Sequence, residues 1–443
     1  MTPGARLAAI IELLQQIYEV PKPADATASA YFRGRRFMGA KDRAFVAEKV
    51  YDTLRRHARL EWWIERSGAT ATPRTRALAN AILADHQGAE TIDGLFSGKF
   101  GPVPLSIYEQ AMIRKLDNHT LDHPEMPEAV RAECPEWAEP HLRDTFAETF
   151  LRECQALIPP AQIDLRVNTL KTTREAALAG LQASGIECWA GKYAPTAIRV
   201  KGRPAIMAHP LYKSGAIEIQ DEGSQLVAYM LNPLPGQAVM DFCAGAGGKT
   251  LALGALMQNR GRVVAADVLA SRLARAKDRF RRAGLQNVET RPLDEEAGKW
   301  LKRRAASFDR VLVDAPCSGV GTWRRNPDMR WRPLGPKLEE LTALQADILA
   351  RAAPLVKPGG RLAYATCSLL RAENEAIIDA FLTTHADFTL LPMDKIRAEV
   401  LPEMKGISGE YLRLTPSRHG TDGFFTAVLE KKIHVIPGDP ATP

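Results

Sequence analysis

The sequence predicts an α/β protein in three parts: an all-α domain, a small β-α-β segment, and a large domain on a mostly parallel, doubly wound sheet. Three observations carry this prediction. Residues 1 to about 135 repeat their apolar side chains at helix spacing and show no strand-like alternation. From about Gly215 onward, short β-branched runs alternate with helix-period segments, as strands joined by crossover helices do. Within that stretch a glycine-rich turn, Asp241-Phe-Cys-Ala-Gly-Ala-Gly-Gly-Lys-Thr250, follows a strand and opens a helix.

Leu7, Ile10, Ile11, Leu14 and Ile17 mark the first helix. Asp42 is placed to cap a second, whose apolar positions are Val46, Ala47, Val50, Tyr51 and Leu54. Ala77 to Ala84 reads as a third, after Trp62-Trp63-Ile64. Helical patterning continues past Pro135 to Leu151 and is interrupted by Pro159-Pro160. Ile163–Asn168 and Ala197–Val200 read as strands around a helix from Thr173 to Gly185, capped by Thr172 or Thr173. In the large domain the strands are Gln237–Phe242, Arg262–Ala266, Val288–Arg291, Arg310–Val313 and Gly360–Ala365. The helices between them are Thr250–Met257, Ala270–Ala283 and Leu338–Leu355. Glu410–Thr415 and Gly423–Leu429 read as an antiparallel pair. These elements give a helical domain over 1–135, a linker and small α/β subdomain over 136–212, a nucleotide-binding domain over 213–432, and a loose proline-containing tail over 433–443.

The 443 residues can bury large cores, with 45% apolar and 25% charged residues. No apolar run approaches the roughly 20 residues of a membrane span. Leu7–Leu14 is broken by Glu12 and no cleavage site follows, so no signal peptide is expected. The six cysteines, Cys134, Cys154, Cys188, Cys243, Cys317 and Cys367, show no CxxC spacing, which argues against a zinc site and a disulfide framework. A cytoplasmic location and no metal are expected. The net charge of +7 is compatible with a nucleic-acid partner and equally with none.

In a parallel α/β sheet, ligands bind outside the carboxyl ends of the strands. The glycine turn lies there, and Gly245, Gly247 and Gly248 let the backbone approach a ligand. The turn is neither GxGxxG nor a Walker loop. Asp267 ends the next strand, about 20 residues on, where an acid takes ribose hydroxyls. Asp294 follows the third strand, where a carboxylate can reach an adenine amine. S-adenosylmethionine has ribose and adenine but no phosphate, so it suits a site lined by Asp241, Asp267 and Asp294. The plainer reading is a turn that only closes a strand-helix corner; three coordinated acids weigh against it.

Two cysteines share this edge. Cys317 follows Asp314-Ala-Pro and precedes Ser-Gly-Val-Gly321; Cys367 lies in Thr-Cys-Ser just past a strand. Cys134, Cys154 and Cys188 read as small buried apolar side chains, and Cys243 as a packing or backbone-contact residue of the turn. Carbon 5 of a pyrimidine is a poor nucleophile. A thiolate adding at ring carbon 6 turns it into an enamine-like carbon that can attack a methyl sulfonium. Asp314 can hold the ring nitrogen and favour its protonation. One thiol attacks while the other assists elimination.

The ordered set Asp241–Thr250, Asp314-Ala-Pro-Cys-Ser-Gly-Val-Gly-Thr322 and Ala365-Thr-Cys-Ser-Leu with Glu373-Asn-Glu resembles the RsmB/NOP/Sun family of RNA 5-methylcytosine methyltransferases. Leu165-Arg-Val-Asn168, Ile219–Gln225 and Asp422-Gly-Phe-Phe425 extend the resemblance over roughly residues 135–431. The resemblance implies a class I Rossmann-like methyltransferase sheet with an antiparallel last strand, preceded by an RRM-like subdomain. It also implies that Cys367 is the nucleophile and Cys317 assists product release. The cofactor loop becomes Cys243, Ala244, Gly245, Ala246, Gly247, Gly248 and Lys249, with Asp267, Asp294 and Asp314 as further cofactor-site acids and Lys249 near the target base. The family commonly carries Ala-Pro-Gly-Gly-Lys in this turn; here Gly245-Ala246 precede Gly247-Gly248-Lys249. Gly39–Ala47 with Tyr51–Arg56 is similar to the NusB-like helical domain of bacterial ribosomal-RNA members, a looser match.

Arginines interleave with aromatics in Trp323–Arg332, directly after the Cys317 loop, so Arg324, Arg325 and Arg330 are expected to contact single-stranded RNA. The alternative is a loop whose tryptophans pack on the core. Arg36 and Lys41, with Arg33, Arg35 and Arg43, are candidates for phosphate contacts, whereas the charge run Arg272–Arg282 reads as a solvated helix face. The expected function is S-adenosylmethionine-dependent RNA cytosine-5 methylation by a monomer, on ribosomal RNA. The rivals are a DNA cytosine methyltransferase, against which the second cysteine counts, a non-catalytic RNA-binding assembly factor, and methylation of another RNA such as tRNA.

Overall fold

The computed structural model describes residues 1–98, 100–332 and 334–433. The chain forms two compact units: Met1–Pro160 with Thr322–Pro336, and Ala161–Gly321 with the chain from Lys337 onward. The helical unit therefore runs beyond residue 135 and takes in the arginine-aromatic segment. Apart from Ile433, the expected tail at 433–443 lies outside the described residues.

The helical unit is built on helices Pro3–Glu19, Ala40–Arg55 and Pro73–Leu83. Leu7, Ile10, Ile11, Leu14 and Ile17 are all buried, as their spacing predicts. Thr2 caps the first helix by accepting from the Ala5 N–H, with Pro3 in the first turn. Asp42 is not a cap: Gly39 holds that position and Asp42 lies in the first turn. Its carboxylate accepts from Arg6 Nε at 2.7 Å and from the terminal amine at 3.0 Å, where an acid also complements the helix dipole.

The second unit opens with a four-stranded antiparallel sheet of β1 (Ile163–Val167), β2 (Cys188–Ala190), β3 (Ala197–Val200) and β4 (Ile217–Ile219), in the order β2-β3-β1-β4. Its last strand lies beyond the expected boundary at residue 212. Helix Arg174–Ala183, capped by Thr173, covers one face through Ala177 and Leu181. The other face carries Asp164, Arg166 and Glu218, all buried, so it is not the open surface of an RNA-binding sheet.

The large sheet comprises β5 (Ala238–Asp241), β6 (Arg262–Asp267), β7 (Val288–Pro292), β8 (Phe308–Asp314), β9 (Val356–Thr366), β10 (Phe388–Leu391), β11 (Leu412–Leu414) and β12 (Phe424–Lys431). The order is β10-β12-β9-β8-β5-β6-β7, with β11 paired to β12. The pairs β5·β6, β5·β8, β6·β7 and β8·β9 are parallel, and β12 runs antiparallel to β9, β10 and β11. β5, the first strand of this sheet in sequence, thus sits centrally, where strand order reverses, and its end is the expected ligand crevice. One face is covered by helices Glu222–Leu231 and Gly248–Leu256 through Leu226, Met230 and Leu253. The other is covered by Leu338–Ala352 and Glu375–Thr384 through Leu349, Ile378 and Phe381. Burial on both faces explains the apolar runs Val263–Ala266 of β6 and Val311–Val313 of β8.

Candidate active site

The glycine turn joins β5 to helix Gly248–Leu256. Gly245 and Gly247 have positive φ, +54° and +80°, and a Cβ on Gly247 would stand 2.5 Å from the Phe280 ring. Glycine is required there both by backbone conformation and by the close approach of the next helix. Asp267, at the end of β6 and only 5% exposed, accepts from the Gly245 N–H and the Leu269 N–H, each at 2.8 Å. Two arginines hold the turn from outside. Arg166 donates to the Gly248 carbonyl at 2.7 Å and Arg279 to the Ala246 carbonyl at 2.6 Å. Ala244 N–H bonds the Ala266 carbonyl, tying the turn to β6.

Asp241 closes β5 and is fully buried. Thr250 Oγ1 donates to its Oδ2 at 2.7 Å, while Oδ1 has no hydrogen-bond partner. Burial pushes this carboxyl up to about 7, aided by the nearby Asp314 and Asp267 charges. Burial also raises the Cys243 thiol, consistent with a packing residue and not a nucleophile. Asp294 lies two residues past β7, exposed, at the same edge of the sheet.

β8 and β9 are adjacent and parallel, with Asp314 opposite Ala365. Their ends bring the two cysteines together: Cys317 Sγ and Cys367 Sγ are 3.4 Å apart, and both are free thiols. The Cys317 thiol is raised well above its ordinary range by its hydrogen bond to Cys367 and by burial, so it stays protonated near neutrality. Lys249, one residue into the helix after the turn, reaches Asp314 Oδ2 at 2.6 Å. Burial alone would lower the Lys249 ammonium; Asp314 more than offsets this and raises it, so the pair is ionic. Lys249 Nζ also stands 5.5 Å from the Phe424 ring centroid. The Cys317 loop approaches β12 closely: a Cβ on Gly321 would fall 2.3 Å from the Gly423 carbonyl oxygen. The turn, Asp267, Lys249, Asp314, Cys317 and Cys367 thus meet at the carboxyl ends of β5, β6, β8 and β9.

The expected RNA contacts divide. Arg36 and Lys41 are exposed, with Phe37 between them 76% exposed. Arg324 and Arg330 are instead buried, so the surface role expected of them is corrected. Arg330, 2% exposed, donates to the carbonyls of Glu133 and Leu157 at 3.0 and 3.1 Å, and its guanidinium lies over the Trp323 ring at 4.6 Å. Trp323 packs edge-on against Trp137. The aromatic-arginine segment is a wedge inside the helical unit, where each buried guanidinium needs protein acceptors. Arg325, half-buried in the same wedge, is the one arginine of the three with partial solvent access. Sequence reasoning missed Arg166, Phe424 and Gln345 as parts of the site's support. Arg166 and Phe424 stand, like Glu373, in motifs already singled out, but their neighbours in space are far away in sequence, so no supporting role could be read for them.

The family model described as 16S rRNA methyltransferase RsmB/F matches residues 228–430, and the ferredoxin-like domain of RsmF/B-like methyltransferases matches residues 134–207. The Bacillus subtilis probable ribosomal RNA small subunit methyltransferase B is 37% identical over 69% of this chain and 68% of its own length. The chain belongs to the RsmB/F family of ribosomal RNA methyltransferases. The RsmB/F relationship extends to the helical unit: a probable ribosomal RNA small subunit methyltransferase B from Synechocystis is 31% identical over 88% of this chain and 91% of its own. The crystal structure of PH0851 covers 97% of the chain and 99% of its own at 29% identity, with a TM-score of 0.77. Among the described residues no cluster of three or more His, Cys, Asp and Glu is placed to hold a metal, and no helix is long and apolar enough to cross a membrane.

Proposed function

We propose that the protein is an S-adenosylmethionine-dependent RNA methyltransferase that forms 5-methylcytosine in ribosomal RNA through a covalent cysteine adduct. The observation that carries this reading is the pair of thiols 3.4 Å apart, beside the Lys249–Asp314 ion pair and the glycine turn. The residues present fit the methyl donor. Asp267 can accept from ribose hydroxyls beside the Gly245 N–H, and Asp294, exposed two residues past β7, can accept from an adenine amine. Asp241 has a buried carboxylate oxygen without a partner, which the donor's α-ammonium can satisfy. The donor supplies an electrophilic methyl group on a sulfonium.

The chain's own residues do the rest. The Cys367 thiolate bonds to ring carbon 6, and the displaced π electrons make carbon 5 nucleophilic. Asp314, oriented by Lys249, favours the protonated ring nitrogen and so stabilises the adduct. The methyl group that the donor would supply would pass to carbon 5, its bonding electron pair staying with the donor's sulfur. The carbon 5 proton then departs to a base and the carbon 6–sulfur bond breaks, restoring the aromatic ring and the Cys367 thiolate. Cys317, kept as a thiol beside Cys367, assists this release. Arg36 and Lys41 offer phosphate contacts on the helical unit, and the target cytosine must be unstacked to reach the thiols. We place the enzyme in the cytoplasm as a monomer. Tritiated methyl transfer to RNA, DNA and neither distinguishes this reading from its rivals, and bisulfite sequencing of total RNA with and without the protein locates the base. Methyl transfer to DNA alone, or to nothing, refutes it.

A further inference from the structure

Glu373 touches neither thiol, yet it joins both of their loops. Its side chain is fully buried on the single turn Arg371–Glu373 that follows the Cys367 loop. Oε1 accepts from the Ser318 N–H at 2.8 Å and from the Gln345 side-chain amide at 3.0 Å. Oε2 accepts from the Ser318 hydroxyl at 2.5 Å and from the Ser368 hydroxyl. Ser318 follows Cys317 and Ser368 follows Cys367, and their hydroxyl oxygens are 3.3 Å apart. Gln345 also donates to the Pro316 carbonyl at 2.9 Å, on the other side of Cys317. Asn374, next in sequence, accepts from Thr366 Oγ1 at 2.6 Å and donates to the Ser368 carbonyl at 3.1 Å, bracketing Cys367 in the same way.

A buried carboxylate met by neutral donors is a costly way to join two loops, because desolvation of the charge must be offset by hydrogen bonds alone. Hydroxyl and amide pairs would close the same gap without a charge. What the carboxylate adds is four convergent acceptor directions at one point, fixing the residue after each cysteine relative to the other. We propose that Glu373 is the positioning residue that sets the separation of Cys317 and Cys367. This rests on the covalent reading above, in which both thiols serve one pyrimidine ring: one bonds carbon 6 and the other must stay within reach as that bond breaks. Reaction rates respond to such placement by about 100-fold per ångström.

The test uses the full chain with Glu373→Gln, which keeps the shape, removes the charge and turns an amide N–H₂ toward the serine donors. The separation is read by phenylarsine oxide. Its arsenic bonds two nearby thiols at once, and the two thiol protons leave with the oxygen as water. Cys317→Ser supplies the background from the other close pair, Cys134 and Cys154. Wild type is expected to hold one arsenical against excess monothiol. Glu373→Gln is expected to bind it at least about tenfold more weakly, with kcat reduced at least about tenfold, since both depend on the same sub-ångström spacing. The RNA KM and the cofactor Kd are expected to change by less than about twofold, because Glu373 contacts neither site. Ser368→Ala removes one of the four donors and is expected to lose arsenical affinity to a smaller degree, which keeps the test alive if Glu373→Gln does not fold. Wild-type arsenical affinity in both variants overturns the proposal. Tight arsenical binding that Glu373→Gln abolishes, in a wild-type protein that transfers no methyl group, supports the clamp and refutes the proposed function instead.

Discussion

Replacing Asp267 by alanine removes two ordered acceptors from the glycine turn together with the proposed ribose partner. The Gly245 N–H and the Leu269 N–H each lose a carboxylate oxygen at 2.8 Å. A hydrogen bond to a charged group contributes about 1.5–3 kcal/mol, so the two could cost about 3–6 kcal/mol if both donors stayed dry. The turn borders the crevice, where water can replace part of the loss, and about 2–3 kcal/mol is expected in unfolding free energy. The ribose contact is a third bond of the same kind. Its loss should raise the Kd for S-adenosylmethionine by about 10- to 100-fold, at about 1.4 kcal/mol per decade. Asp267→Asn separates the two effects. Its amide oxygen can still accept from the Leu269 N–H, so stability should fall less, while the charge that strengthens the ribose contact is gone. Calorimetric titration with the cofactor, beside thermal unfolding of the same samples, reads both. A Kd within twofold of wild type in both variants would mean that Asp267 only shapes the turn.

Three further outcomes are expected. The Asp241 carboxyl is raised by burial to about 7 in the folded chain and titrates near its ordinary 3.8 when unfolded. The folded state therefore binds the extra proton between those values, and stability from this group is full below about pH 4 and declines as pH rises toward about 7. Asp241→Asn should flatten that part of the profile, whereas equal slopes of Tm against pH in the two proteins would show that the carboxyl is not buried as described. Arg330→Met should cost about 3 kcal/mol through the lost bonds to the Glu133 and Leu157 carbonyls and leave RNA affinity unchanged. A weaker RNA complex at unaltered Tm would return Arg330 to the RNA interface. Arg36→Ala with Lys41→Ala should lower the slope of log affinity against log salt by about 1–2 and leave cofactor binding intact; an unchanged slope would point the helical unit toward a protein partner.

Much of this fold was legible because its signals are local. The helix period of Leu7 to Ile17 and the strand-turn-helix punctuation around Gly245–Gly248 need no tertiary knowledge. The β11–β12 pairing was legible from two β-rich runs flanking a turn. β2 and β4 were not: they have three residues each, too few to show alternation, and, unlike the equally short β11, neither was read as part of a longer β-rich run paired across a turn. β10 and helix Met393–Val400 are similarly brief. The candidate site divides in the same way. Cys317, Cys367, Lys249 and Asp267 sit at strand or helix ends, where sequence position alone assigns them to the crevice. Arg330 was misread because a basic, aromatic-rich segment has the same composition whether it faces RNA or fills a core. Only the buried carbonyls of Glu133 and Leu157 decide between them, and these are remote in sequence. Around Glu373 the Ser368 hydroxyl is only five residues away, but Ser318 and Gln345 are 55 and 28 residues distant, so the convergence of the four donors was not legible.

The roles of the two thiols are tested most directly by denaturing electrophoresis of cysteine variants after incubation with RNA and S-adenosylmethionine. Cys317→Ala retains the nucleophile but not its helper in release, so it is predicted to attack, stall and leave a protein–RNA adduct that survives denaturation. Cys367→Ala is predicted to transfer no methyl group and form no adduct, because the proposed nucleophile is gone and burial still raises the Cys317 thiol once its Cys367 partner is removed. An adduct in Cys367→Ala with none in Cys317→Ala would make Cys317 the nucleophile, and no adduct in either would contradict the covalent mechanism.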